Sequence, residues 1–550
     1  MKKCKLFTVL VVIFLIAGTS QLLAENGPNY TSRLYPGMDG KLVYVPDEQG
    51  NIIPDFSNAG FGGGGVPIPY VPVKETIWGV EGDATPVIQA AIDRVSALEP
   101  DENGIRGAIL LKMGYYDLHS SLTISVSGVV LRGQGQDDLG TILIGRNEPI
   151  DSDDANARSG GEMRGMGTGT LITISGQRVQ IDEESAAKIT DDYVPVGARS
   201  FSVESTRGFK VGDTIMVRRI GNQEWINFIG EGEELGRNQW RPFDITYDRI
   251  ITNITRNTVT IDAPIACAIE TQWGGGDIMK YDDSGRISYV GIENLRAMSD
   301  FDQRVRTTMY GNLDRHPYDA EEYYSDEAHW WNFASFNNAK HCWVRDVTGL
   351  HFGGSLVSLS GGVKWTTVQD CKNLEPVAQR WGARRTAFAS SGQLNLVQRC
   401  LSDRGRHSFV TMGQQSAGPN VFLECTATRS YSTSEPHSHW VTGMLYDSVH
   451  GPLTARYWKD ISIGWAGANI VFWNCEGEFR MQNPPTAFNS TFGHIGINAT
   501  PFNMVYQDNS KEDGHMESLD RHVTPGSLYL KQLEDRLGPQ ALANIAKKEQ

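Results

Sequence analysis

The chain has 550 residues, 59 glycines, 23 prolines and a formal charge of −15. That acidic balance argues against a nucleic-acid binder, which would carry a basic face. The length allows a large core with an inserted module, and an acidic partner would need a local basic cleft set against the overall charge.

Residues 1–24 read as a secretory signal. Lys2, Lys3 and Lys5 precede a short apolar run over 6–17, and Leu22-Leu23-Ala24 offers a cleavage site. The run falls short of the roughly 20 residues that a spanning helix needs. No later segment is apolar enough to span a bilayer, so the mature protein is expected to be secreted or periplasmic, without stable membrane insertion. Residues 25–74 form an N-terminal extension. Next, Gly82-Asp83-Ala84-Thr85-Pro86 precedes a run with helical apolar spacing, Val87 to Asp93, which Thr85 is expected to cap with Pro86 at the first position. Short strands alternate with turns from Ala108 to Gly135. Residues 190–265 look like a small antiparallel β-module, and residues 303–330 are a long polar and aromatic loop of the kind that serves function or is disordered.

The strongest pattern is an internal repeat. Val344-Arg345-Asp346-Val347, Val368-Gln369-Asp370-Cys371, Val397-Gln398-Arg399-Cys400, Phe422-Leu423-Glu424-Cys425 and Phe472-Trp473-Asn474-Cys475 recur at intervals of 24, 29, 25 and 50 residues. The last interval fits two coils, with Leu445-Tyr446-Asp447-Ser448 near the missing position. Ile292-Glu293-Asn294-Leu295 is an earlier member. The paired apolar residues are three apart, and on a flat strand they would face opposite sides. Both point inward only if the chain bends between them, and Asn294, Asp346, Asp370, Asp447 and Asn474 stand at that bend. Asn and Asp tolerate a left-handed backbone best among residues with a Cβ. Coils stacked at roughly 4.8 Å then pile like residues over like residues. The mature cysteines Cys267, Cys342, Cys371, Cys400, Cys425 and Cys475 read as buried apolar residues and not as disulfides or zinc ligands. The fold class is therefore all-β, a right-handed parallel β-helix over residues 75–500, with a capping helix and the inserted module. Residues 501–550 are a tail in which Leu528, Leu530, Leu533, Leu537 and Leu542 mark an amphipathic helix.

The order of helix and strands from Gly82 to Gly135 resembles the opening of the pectate-lyase-like β-helix superfamily. With the ladder, the resemblance covers roughly residues 75–500 outside the insertions, and it implies a helix that covers the open sheet edge.

Basic and imidazole groups gather on successive coils, in Arg380-Trp381-Gly382-Ala383-Arg384-Arg385, Arg404-Gly405-Arg406-His407, Glu435-Pro436-His437-Ser438-His439-Trp440 and Gly464-Trp465. Arg can hold a carboxylate through two parallel hydrogen bonds, and Trp can stack on a sugar face. An acidic polysaccharide is thus the expected partner, cleaved by β-elimination. In that reaction the uronic carboxylate is neutralised and a base removes the neighbouring C5 proton. His407, flanked by Arg404 and Arg406, is the first candidate for the base, and His437 or His439 the next. Arg385 and Arg406 are candidates for the clamp, with Arg380, Arg404, Trp440 and Trp465 lining the substrate. Calcium is a second candidate for the neutralising role, but Asp151-Ser152-Asp153-Asp154 and Asp300-Phe301-Asp302 lack a specific loop pattern, so no metal residue is assigned.

Gly405 to His407, Gly418 to Val421, Pro436 to Trp440 and Gly464 to Asn469 also resemble a bacterial polysaccharide-lyase-like group. That group often has two adjacent histidines and Arg-Trp where this chain reads His437-Ser438-His439-Trp440. Two other readings stay open. A glycoside hydrolase on the same scaffold would use two of Asp370, Asp403, Glu424 and Asp447, with carboxyls about 5–5.5 or 6.5–9.5 Å apart. A non-catalytic carbohydrate-binding surface protein would need no base.

Overall fold

The computed structural model describes residues 28–146, 169–232, 240–308, 321–413, 416–459, 463–496 and 508–547. The signal read over residues 1–24 lies outside them. The described chain is built mainly of short parallel strands stacked coil on coil, a parallel β-helix with the right-handed connections such crossovers take.

Each central coil contributes to three sheets. Thr367–Gln369, Leu396–Gln398, Asn420–Leu423, Met444–Asp447 and Val471–Trp473 lie in the first. Lys372–Leu374, Leu401–Asp403 and Thr426–Thr428 lie in the second. Val357–Leu359, Phe388–Ser390, Phe409–Met412 and Glu435–His437 lie in the third. The bend between first and second sheets is where the repeat put it. Asn294, Asp346, Asp370, Arg399, Glu424 and Asn474 all have φ between 48° and 58°, which turns both flanking apolar residues inward.

One coil is shifted by a residue from its expected alignment. Leu445 pairs with Val421, Tyr446 with Phe422 and Asp447 with Leu423, so the bend residue is Ser448 (φ 55°), not Asp447. Tyr446 is the inner residue. Its ring stacks between Phe422 and Phe472 at 5.3 and 5.0 Å, and its hydroxyl donates to Phe409 O at 3.3 Å. Asp447 instead accepts from Ser527 Oγ and Tyr529 N, each at 2.7 Å, and burial pushes its carboxyl up to about 7.

All six cysteines of the described chain are free and buried. Burial raises the thiols of Cys371, Cys425 and Cys475, which suits their place among Phe409, Phe422, Phe472 and Val397 in the solenoid core.

Helix Thr85–Ser96 lays Ile88, Ala91, Ile92 and Val95 over the open end of the core. Thr85 does not cap it. The residue before the helix is Ala84, and Asp83 Oδ1 accepts from Thr85 N at 2.9 Å and Thr85 Oγ1 at 2.6 Å. The tail forms two helices, Leu528–Leu537 and Pro539–Ile545, parted at Gly538, which takes φ 81°. They pack on the outer face of the first sheet together with Phe56 of the N-terminal extension.

The inserted module extends further than 190–265. Gln180–Lys188, Ser200–Ser202, Thr214–Arg219, Ile245–Thr255, Thr258–Ile261 and Gly276–Asp282 form one antiparallel sheet. A buried ion cluster ties it to the solenoid. Asp248 meets Lys364 Nζ at 2.8 Å and Arg286 at 2.5 Å and accepts from the Tyr281 hydroxyl. Burial alone would raise this carboxyl, but the two cations outweigh it and hold it very low.

Candidate active site

The third sheet carries the site. Inside it, Phe388 and Phe409 stack at 5.6 Å and fix the strands in register, with Ala389 paired to Val410 and Val410 to Glu435. The next coil joins through the bridge Ser434 to Leu453. Side chains two apart on a strand share a face, so Glu435 and His437 stand together, and the following coil brings Arg456 beside them.

Glu435 is the hub. Its Oε2 accepts from Thr433 Oγ1 at 2.8 Å, its Oε1 accepts from His437 Nδ1 at 2.7 Å, and His407 Nδ1 lies 3.5 Å from Oε1. Burial opposes ionisation of this carboxyl, but the charge that His407 takes up only in acid, with His437 and Arg456, outweighs it and holds it at about 2. His407 is shifted well below the usual imidazole range, by burial first and by Arg406 second. It is therefore neutral, and its tautomer follows from its partners. Arginine has only donors, so Arg406 Nη1 donates to His407 Nε2 at 2.6 Å. The ring proton then sits on Nδ1 and is donated to Thr433 O at 2.8 Å.

This arrangement bears on metal binding. Ligand atoms of His407, Glu435 and His437 all lie within 4.8 Å of one another, close enough to share an ion. Yet the Arg406 contact keeps the His407 proton on Nδ1, which removes the nitrogen facing Glu435 from a ligand set. The donor chemistry fits a proton-handling cluster better than a cation site. At the proposed calcium loops, Asp300 and Asp302 are taken up by Arg146 and Arg304 at 3.1 and 2.6 Å. Residues 151–154 lie outside the described chain.

His437 differs from its neighbours in access. Its side chain is 15% exposed, against 1% for both His407 and Glu435. Nδ1 is committed to Glu435, and Nε2 makes no hydrogen bond among the described residues. Trp458 stands edge-on to the ring at 5.4 Å, and the Arg456 guanidinium lies 3.5 Å over Trp458. Glu435 thus orients an imidazole whose second nitrogen is left for a substrate proton.

The other sequence candidates fall in two groups. Arg385, expected as an open clamp, is buried, and its Nε and Nη2 donate to Ala378 O at 3.1 and 2.6 Å. Burial lowers it to about 10. Arg380 is sandwiched between Tyr323 and Tyr431 at 3.9 and 4.1 Å, and Arg406 also donates to Gly382 O. Arg404 is the open member of the group, 4.0 Å from Asp403. The second group belongs to the module junction. Trp440 is fully buried, edge-on to Trp225 at 5.0 Å. Trp465 donates from its indole to Ile229 O at 3.1 Å, and His439 packs against Trp240 at 4.9 Å. Trp440 and Trp465 are therefore packing residues, not the sugar platforms expected, because the module covers them.

Three residues of this cluster escaped the sequence reading: Glu435, Arg456 and Trp458. A signal existed for one of them, since Glu435 precedes His437 by two, the spacing that shares a face on a strand. The hydrolytic acids considered earlier lie elsewhere. Asp370 pairs with Arg399 and Asp403 with Arg429, Glu424 stands exposed at a first-sheet bend, and Asp447 holds the C-terminal helix.

No family model matches the chain, and no curated protein matches it. Among solved structures it is similar to a tailspike protein, gp49, from Pseudomonas phage LKA1, with a TM-score of 0.40 and 13% identity over 75% of this chain and 55% of that one. It is also similar to a polygalacturonase from Erwinia carotovora (TM-score 0.35, 10% identity, 84% and 96% covered). A third is the C387A mutant of DFA-IIIase from Arthrobacter chlorophenolicus A6 in complex with DFA-III (TM-score 0.34, 11% identity, 76% and 66% covered). The chain spans a little over half the length of the tailspike. Likeness at this level adds nothing to the strand register, from which the fold is read.

Proposed function

We propose that this protein cleaves a uronic-acid polysaccharide by β-elimination, with His437 as the base. The observation that carries the reading is the 2.7 Å bond from His437 Nδ1 to Glu435, which leaves Nε2 unengaged on the solvent-reached imidazole of the pair. His437 Nε2 takes the C5 proton, the C4–C5 double bond forms, and the C4–O bond breaks. The departing oxygen recovers a proton from the imidazolium or from water. Arg456, held on Trp458, supplies positive charge where the carboxylate-stabilised anion develops, a role assigned here to a side chain and not to calcium. His407 and Arg406 act through Glu435 as positioning residues. The resemblance to a bacterial polysaccharide-lyase-like group and the export signal expected in residues 1–24 both fit a polymer substrate outside the cytoplasm.

The test is a panel of uronic-acid polysaccharides, followed by the ultraviolet absorbance of the unsaturated product. His437→Ala is expected to lose about 10²–10⁴-fold in rate while remaining folded, and activity is expected to survive EDTA. New reducing ends without absorbance would replace elimination by hydrolysis, full activity of His437→Ala would reject the base, and loss on chelation would bring a metal into the mechanism. Retained binding with no cleavage of any polymer would favour a carbohydrate-binding surface protein.

A further inference from the structure

The first coils carry exposed aromatic side chains that no part of the site above uses. Trp78 is 69% exposed and Tyr115 63%. They stand on adjacent coils. Lys112 N donates to Ile77 O at 2.9 Å, which sets Lys112 across from Trp78, and Tyr115 follows three residues later. Lys112 Nζ lies 5.0 Å over the Trp78 ring and forms no ion pair among the described residues. The amine covers one face of the indole, and the ring's exposure leaves the other face open. Tyr70, also in the first coils, is 77% exposed with the Arg132 guanidinium 4.7 Å from its ring, but Arg132 is paired with Glu293 at 2.5 Å, which leaves Lys112 as the unpaired cation. Exposed rings of this size in one place mark a recognition surface. In a chain of charge −15, an unpaired amine against an open indole selects an anionic partner with an apolar face.

We propose that Trp78, Lys112 and Tyr115 form a second glycan-binding platform, with the pyranose C–H face stacked on Trp78 and a uronic carboxylate on Lys112. The proposal rests on the acidic-polysaccharide reading for the identity of the ligand. The strand holding Tyr115, Gly114–Leu118, leads into Leu122–Ile124 of the third sheet. That strand is six steps from Glu435–His437, about 29 Å at roughly 4.8 Å per step. A polymer held at both places would be anchored away from the bond it loses.

The experiment uses the full chain with His437→Ala, so that polymer is bound without turnover, and measures retardation in gels cast with polygalacturonate, alginate or a neutral glucan. Adding Trp78→Ala is expected to weaken binding of the acidic polymers about tenfold. Adding Lys112→Gln is expected to weaken acidic polymers only. Unaltered retardation on Trp78→Ala overturns the platform, and equal loss on the neutral glucan from Lys112→Gln overturns the acidic class. Sedimentation of the same proteins decides the remaining occupant: a dimer that Trp78→Ala dissolves would make the patch a contact between copies and overturn the proposal. Trp78 is exposed and Lys112 half-buried, so folding of both variants is checked by circular dichroism, without expected change. Cleavage by His437→Ala would defeat the catalytic reading while the retardation still reported on the platform.

Discussion

Two buried stacks run along the same coils, and they are held by opposite physics. One is apolar: Cys371, Cys400, Cys425 and Cys475 with the rings of Phe409, Phe422 and Phe472. Its contacts are non-directional, so each position asks only for a small or flat apolar group. The other is polar: Arg385, Arg406, His407, Glu435 and Arg456, all nearly inaccessible. There every side chain is fixed by particular partners, and a lost partner leaves a buried charge uncompensated. The apolar stack makes the solenoid, and the polar stack makes the candidate active site on it.

The sharpest way to break that contrast is Glu435→Ala. It leaves His437 and Thr433 without their acceptor and removes the negative charge that faces Arg456, and should cost about 3–5 kcal/mol and nearly all activity. Glu435→Gln keeps an acceptor and should recover most of the stability but little activity, because the amide does not stabilise an imidazolium. Urea denaturation midpoints and rates of product absorbance measure the two losses separately. Equal stability of Glu435→Ala and the parent would show that the polar stack is not held as described.

Acid should open the polar stack before the apolar one. Glu435 sits at about 2 against an ordinary 4.5, so its contribution is complete above 4.5 and is lost as pH falls through about 2. His407 is also depressed, below 6.5, so the folded chain resists the proton that the unfolded chain accepts, and stability declines as pH falls below 6.5. Both signs point the same way. Hydrogen exchange at pH 5 compared with pH 7.5 should show lost protection in Phe409–Met412 and Glu435–His437, with Asn420–Leu423 less affected. Uniform loss across both sheets would mean that the two stacks melt as one.

In the apolar stack the effects are smaller. Cys425 is fully buried, with Sγ 3.4 Å from Leu423 O and 3.5 Å from Val397 O. Cys425→Ala removes little more than one heavy atom and should cost about 1 kcal/mol, with activity retained. A loss comparable to that of Glu435→Ala would mean that the thiols are more than packing.

The same contrast explains what could be read in advance. The ladder was legible because two inward residues separated by a left-handed bend leave a periodic trace, and it survived even where Arg399 and Glu424 occupy the bend. It slipped by one residue at Tyr446, which stands inside the core with its hydroxyl donated to Phe409 O. The polar stack left less trace. Arg385 in the sequence is an arginine in a basic cluster, and nothing local says that Ala378 O and the Tyr323 and Tyr431 rings enclose it. Trp440 and Trp465 likewise needed the module, tens to hundreds of residues away, before their burial was visible. Glu435 and His437 stand two apart in the sequence, but only the structure puts them on one strand and shows that His407 is spent on Arg406 and Thr433.

The smallest predicted effect tests the bend that serves the apolar stack. Left-handed backbone costs an ordinary L-residue roughly 1–2 kcal/mol and Asn or Asp less. Asn294, Asp346, Asp370 and Asn474 already meet that preference, whereas Glu424 holds φ 51° with an exposed side chain. Glu424→Asn should therefore stabilise the protein by about 0.5–1 kcal/mol. Asn294→Ala should destabilise it by about as much, since it also removes the bond from Asn294 Nδ2 to Gly133 O at 3.2 Å. Opposite shifts of the denaturation midpoint in the two variants would locate the preference in the backbone. A neutral Glu424→Asn would show that stacking against neighbouring coils, and not the bend residue, sets the conformation there.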